Sequence, residues 1–121
     1  MKRIYISGPM TGLPNLNYPA FNAAADRLRG EGFEVENPAE NPEPPCGSWV
    51  GYMRLAIVQI ARCEGLLLLP GWQHSKGARL ELYIAQQLGL QVASHWDSRA
   101  LASLVWHQVP TSGFDLGGQN E

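Results

Sequence analysis

The chain opens with a short β-branched and aromatic run, Ile4-Tyr5-Ile6, closed by Ser7-Gly8-Pro9, the pattern of a buried first strand entering a tight loop. From Pro19 the apolar positions Ala20, Ala23, Ala24 and Leu28 recur at helical spacing, and Gly30 with Gly32 supplies the stop. Phe33-Glu34-Val35 alternates as a second strand. Asn37-Pro38 then opens a loop through Pro45 whose four prolines forbid regular structure. Ser48 is placed as the N-cap of a second helix reaching about Arg62, with Trp49, Met53, Ile57 and Ile60 along one stripe and Tyr52 beside it. Residues 65–69 are apolar without alternation, as in a central parallel strand covered on both faces, and Pro70-Gly71 ends the run. A third helix is predicted over residues 78–88, with Leu80, Ile84 and Leu88 toward the core and Gly89 as its stop. Gln91-Val92-Ala93 reads as a fourth strand and residues 98–106 as a last helix.

Strand and helix patterns thus alternate four times, which predicts an α/β layer fold with a parallel sheet and right-handed crossovers. The 121 residues suit one domain, assigned to 1–109, followed by a tail from 110 to 121 that is flexible or ordered by a neighbouring subunit. Charge narrows the partners. Nine basic against eleven acidic residues give a net charge of −2, with no footprint for a nucleic-acid polymer or an anionic membrane, so a small ligand is expected. No apolar run reaches the roughly 20 residues of a membrane span, and Met1-Lys2-Arg3 leads into a strand pattern rather than a signal peptide, so the protein is expected in the cytoplasm. Cys46 and Cys63 lie apart and read as ordinary thiols. No metal site and no cofactor fingerprint is suggested.

In folds of this class ligands bind beyond the carboxyl ends of the strands, which directs attention to two loops. Ser7-Gly8-Pro9-Met10-Thr11-Gly12 follows the first strand. Its glycines permit close backbone approach and its hydroxyls can bind an anion, although a tight turn without a ligand explains the same residues. The segment from Gly71 to Glu81 follows the third strand and gathers Trp72, His74, Ser75, Lys76, Gly77, Arg79 and Glu81 around a helix start, where free N–H groups favour a phosphate. Ser75 is a candidate N-cap. Trp72 either stacks on a ring or acts as an apolar lid, and His74 is either a loop histidine or a catalytic one. Glu81 stands between Leu80 and Leu82 beside the buried stripe, an odd place for a carboxylate without a task. Tyr5 either points its hydroxyl toward Glu81 or fills core. His95 and His107 are taken as structural.

Tyr5-Ile6-Ser7-Gly8-Pro9-Met10-Thr11-Gly12, Asn17-Tyr18-Pro19-Ala20-Phe21, and Leu69-Pro70-Gly71-Trp72 through Gly77-Ala78-Arg79-Leu80-Glu81 together resemble short phage and bacterial proteins of the nucleoside 2-deoxyribosyltransferase-like superfamily. The Ser-x-Gly-x-x-x-Glu spacing from Ser75 to Glu81 is similar to that of 2′-deoxynucleoside 5′-monophosphate N-hydrolases. The resemblance implies a flavodoxin-like parallel sheet of four to five strands with helices on both faces, and cleavage of an N-glycosidic bond by double displacement. Glu81 would be the nucleophile and Tyr5 its orienting group. Ser7, Gly8, Met10, Thr11 and Gly12 would wrap the sugar phosphate and Ser75 would take the phosphate, with Trp72, His74, Gly77 and Arg79 completing the substrate site. A homodimer or higher homo-oligomer is implied as well. Where the transferases of the superfamily carry an Asp, this chain has Ser75, which favours a nucleotide over a free nucleoside. One departure stands out: relatives usually carry an Asp eight positions before the acidic residue that precedes the third strand, and counting back from Glu64 reaches Ala56. Glu36, Glu40, Asp97 and Asp115 are the candidate substitutes for that acid, and a nucleotide-binding protein without turnover is the competing expectation.

Overall fold

The computed structural model describes residues 1–43, 47–94 and 106–108. Every apolar run predicted as a strand forms one: β1 (Arg3–Ser7), β2 (Glu34–Glu36), β3 (Gly65–Leu68) and β4 (Gln91–Ala93). Between them lie α1 (Tyr18–Gly30), α2 (Trp49–Ala61) and α3 (Lys76–Gln87). The four strands are parallel, and a two-residue β5 (His107–Gln108) adds an antiparallel edge beside β4, giving the order β2-β1-β3-β4-β5. This is the flavodoxin-like α/β arrangement, and its order reverses between β1 and β3. The four parallel strands are the sheet expected from the sequence, and β5 adds an antiparallel edge to it. The predicted helix over 98–106 and the tail from Pro110 lie outside the described residues, apart from Trp106, which is not helical and packs half-buried on the core.

Strand alternation divides the core into two layers. Ile4, Ile6, Leu67, Leu69 and Ala93 pack with Phe21, Ala24, Ala25 and Leu28 of α1 on one face. Tyr5, Leu66, Leu68 and Val92 pack with Ala56 and Ile60 of α2 and Ala85 of α3 on the other. Burying each large aliphatic side chain contributes about 1.5–3 kcal/mol, so the continuous apolar runs of β1 and β3 anchor both layers.

The element ends have local causes. Gly32 takes φ +96° and Gly89 φ +77°, conformations that glycine adopts without steric cost. Behind them Phe33 N–H donates to Leu28 O at 3.1 Å and Leu90 N–H to Ala85 O at 3.0 Å, closing α1 and α3 with six-to-one bonds. Phe33 therefore belongs to the helix exit, which moves β2 one residue beyond its expected position. Ser48 caps α2 by accepting from Gly51 N–H at 3.1 Å. In the proline-rich loop Asn37 accepts from Ala39 N–H at 3.1 Å and starts a 3-10 turn over Pro38–Glu40, a short regular element where none was expected.

The helix faces differ from those inferred from residue type. On α3 the buried positions are Ala78, Glu81 and Ala85, while Leu80 and Ile84 flank the contact and Leu88 is exposed. On α2 they are Met53, Ala56, Gln59 and Ile60, with Trp49, Tyr52 and Ile57 exposed. On α1 Phe21 and Ala25 join Ala24 and Leu28, and Ala23 is exposed. At the closest approach of a helix to a sheet small side chains fit and bulky ones are displaced to the flanks, so alanines rather than leucines mark the contact line. No helix among the described residues is long and apolar enough to cross a membrane.

Candidate active site

The three described helices begin at the carboxyl end of the parallel strands, and a cluster of polar groups lies between them. Side chains on a strand repeat every two residues, so Tyr5 and Ser7 share one face of β1, the face covered by α2 and α3. On α3, Ser75 accepts from Ala78 N–H at 3.1 Å and starts the helix at Lys76, two residues earlier than the sequence pattern indicated. This phase points position 81 at the sheet. Tyr5 Oη–H donates to Glu81 Oε2 at 3.0 Å and Ser7 Oγ–H donates to Glu81 Oε1 at 2.6 Å.

Glu81 is 9% exposed, Tyr5 1% and Ser7 fully buried. Burial pushes the Glu81 carboxyl up to about 7, even though the hydroxyls of Ser7 and Tyr5 pull it the other way. Burial, together with the adjacent carboxylate, holds the Tyr5 hydroxyl well above its ordinary range, so it stays protonated and donates. Among the described residues no cation pairs with Glu81. Each carboxylate oxygen has one hydroxyl partner and keeps lone-pair capacity, so the group is oriented but not saturated.

The loop after β1 serves partly for packing. A Cβ at Gly8 would stand 2.8 Å from Leu69 Cβ, so packing against the neighbouring strand end by itself accounts for glycine there. Leu69 N–H donates to Ser7 O at 2.8 Å and extends the β1–β3 pairing to this point. Met10 is half-buried against the α1-side core, and Thr11 and Gly12 are exposed. Asn15, Leu16 and Asn17 all have positive φ, between 52° and 62°, and the Asn17 side-chain amide donates to Pro9 O at 2.9 Å. Gly71, with φ +89°, brings the loop after β3 against Pro9, whose Cγ lies 3.3 Å from where a Gly71 Cβ would be. The two loops therefore meet above the β1–β3 switch point.

The remaining site residues are distributed unevenly. Trp72 is half-buried against the core on the α2 and α3 side. His74 and Arg79 are exposed, and among the described residues Arg79 makes no ion pair. Gly77 sits in the first turn of α3, where a Cβ would lie 3.6 Å from Met53 Sδ and 3.7 Å from Trp49 Nε1. Lys76 Nζ lies 4.2 Å from the centroid of the Trp49 ring. Spacing alone puts Trp49 on a core stripe, whereas the side chain is exposed. The signal that locates it is Ser48, which as N-cap sets Trp49 in the first turn of α2 at the same end of the sheet as Glu81.

The structure also bears on the candidate substitutes for the missing acid. Ala56 is 5% exposed, within the core around Tyr5. Glu40 is held by both terminal nitrogens of Arg29 at 2.8 Å. Glu36 is the register partner of Tyr5 on β2 and accepts from Gln59 Nε2 at 3.2 Å and from Arg62 at 3.4 Å. Asp97 and Asp115 lie outside the described residues. Among the described residues no group of three His, Cys, Asp or Glu side chains is placed to hold a metal.

A cleft of about 290 Å³ lies at the amino end of the sheet, lined by Met1, Cys63, Glu64 and residues 88–91. Its chemistry is poor. Glu64 is occupied by the backbone N–H groups of Lys2 and Arg3 at 3.0 and 2.8 Å, and burial pushes the Cys63 thiol up to about 12, where it is no nucleophile at neutral pH. The carboxyl end of an α/β sheet is therefore the candidate active site. Residues 2–94 match the family described as Domain of unknown function (DUF4406), and the chain belongs to that family. No curated protein matches the chain.

Proposed function

We propose that the protein cleaves the N-glycosidic bond of a deoxynucleoside 5′-monophosphate, with Glu81 as the nucleophile. The observation that carries this is the buried Glu81 carboxylate, held by Tyr5 and Ser7 at the carboxyl end of β1 with no cation among the described residues to neutralise it. A carboxylate buried at such a cost, at the place where α/β folds bind ligands, is the signature of a functional group. The spacing from Ser75 to Glu81 adds the likeness to nucleotide N-hydrolases described above. Ser75 Oγ accepts from Ala78 N–H and keeps its own O–H to donate to a phosphate at the start of α3.

In this scheme a Glu81 oxygen bonds to the anomeric carbon as the bond to the base breaks. The base departs with the electron pair and takes a proton from solvent. Water then attacks the glycosyl ester, releases the sugar phosphate and restores the carboxylate. Tyr5 and Ser7 hold both oxygens in position, and their hydrogen bonds keep part of the group ionised at neutral pH. Transfer of the sugar to a second base would use the same intermediate. The protein would act in the cytoplasm, as a homo-oligomer.

Incubation with each of the four deoxynucleoside monophosphates, followed by chromatography for free base, tests the proposal; no release from any of them at high enzyme concentration overturns it. A second reading, binding without turnover, is favoured by one observation: Ala56 is an apolar core residue where relatives carry an acid. General acid catalysis contributes on the order of 10²–10⁴-fold, so its absence suits a slow enzyme or a sequestering protein. Calorimetric binding with unchanged ligand after prolonged incubation would select that reading.

A further inference from the structure

We infer that Trp49 and Lys76 form the surface that receives the planar base of the ligand, an inference that rests on the nucleotide reading above. Trp49 is 41% exposed and stands in the first turn of α2 at the Glu81 end of the sheet. Its indole Nε1 lies 3.7 Å from the point a Gly77 Cβ would occupy, and Met53 Sδ lies 3.6 Å from the same point. Gly77 and Glu81 are four residues apart on α3, hence on one face and separated by about 6 Å along the axis. The indole is therefore the wall one helical turn from the carboxylate.

That separation suits displacement at an anomeric carbon. The attacking oxygen approaches within about 3–3.5 Å of the carbon and the leaving ring stands on the opposite side, so the ring belongs one sugar's width from the carboxylate. The exposed indole offers it a stacking face once the exposed Lys76 side chain, which lies over the ring, swings to the ring's edge. Lys76, whose Nζ lies 4.2 Å from the indole centroid, has three N–H donors and no acceptor, so it selects a ring with a carbonyl oxygen or an unprotonated ring nitrogen at its edge. The same ammonium would stabilise negative charge on a departing base, at a site where Ala56 supplies no acid. A Cβ on residue 77 would be in ordinary van der Waals contact with Met53 and Trp49, which places this wall directly against the first turn of α3.

The experiment is calorimetry in the Glu81→Gln background, where no ligand is consumed, with the four deoxynucleoside monophosphates and with 2-deoxyribose 5-phosphate as the probe lacking a base. Trp49→Ala is expected to weaken nucleotide binding on the order of 10- to 100-fold, the range of base–aromatic stacking, and to leave sugar-phosphate binding unchanged. Trp49→Phe is expected to retain most of the affinity, and Lys76→Met to lose part of it. Unchanged nucleotide binding in Trp49→Ala overturns the inference and leaves the nucleotide reading standing. Equal weakening of both probes, or an altered oligomeric state in size-exclusion chromatography, also overturns it, because Trp49 would then be structural. Failure of the parent to bind any nucleotide overturns the nucleotide reading, and this inference with it.

Discussion

Glu81 and Glu64 stand at opposite ends of the same sheet, and each accepts two hydrogen bonds. Glu64, at the amino end, is exposed and takes the backbone N–H groups of Lys2 and Arg3, which hold its carboxyl below the usual range. Glu81, at the carboxyl end, is buried, takes two hydroxyls, and is pushed up to about 7. The difference lies in solvent, not in the number of donors: water solvates the Glu64 charge, while the core withholds it from Glu81. Two carboxylates with equal numbers of donors are therefore driven in opposite directions by what surrounds their hydrogen bonds.

The largest effect should come from removing the two carboxylates in turn. Glu81→Gln is expected to lower base release by on the order of 10³-fold or more, whereas Glu64→Gln leaves it unchanged; equal effects would erase the distinction. Next is Tyr5→Phe, which removes a donor that favours ionised Glu81. A nucleophilic carboxylate must be deprotonated, so kcat/KM should rise with pH through about 7 in the parent. In Tyr5→Phe that midpoint should move higher, with a rate at pH 7 about 10-fold lower, as a pH–rate profile will record.

Stability should move the opposite way from activity. The folded Glu81 value of about 7 lies above the ordinary 4.5, so the protonated group contributes its full share below about pH 4.5, and that share is lost as pH rises through about 7. Glu81→Gln should accordingly be more stable than the parent by about 2–3 kcal/mol at pH 8, with the gap closing toward pH 5 in denaturant melts. The first loop offers a smaller contrast. Gly8→Ala meets Leu69 at 2.8 Å and should cost about 1–3 kcal/mol. Gly12→Ala has open space but φ +83° and should cost about 1 kcal/mol. Smallest are the helix caps: Ser75→Ala and Ser48→Ala should each cost about 1 kcal/mol, and only Ser75→Ala should weaken phosphate binding in calorimetry.

The strands were legible because a buried parallel strand must be apolar on both sides, and β1 and β3 read as continuous apolar runs. Tyr5 and Ser7 on one face follow from strand parity alone. Their meeting with Glu81 was not readable locally, since it depends on the β1–β3 adjacency across more than 70 residues of chain. Helix phase was misread for a physical reason. Residue size suggested Leu80, Ile84 and Leu88, but close approach to the sheet selected Ala78 and Ala85, which set Glu81 in the centre of the contact. The left-handed turn at Asn15, Leu16 and Asn17 had no strong signal, because leucine is an uncommon residue at positive φ. Trp49 was visible as an aromatic but not as a neighbour of Gly77, a relation set by the packing of α2 on α3.

The central claim is that Glu81 forms the bond to the sugar. Acid quenching during turnover of a deoxynucleoside monophosphate, followed by peptide mass mapping, tests it directly. A deoxyribosyl phosphate ester on the peptide containing Glu81, absent in Glu81→Gln, is the predicted result; base release that persists in Glu81→Gln, or an adduct on another residue, would contradict it.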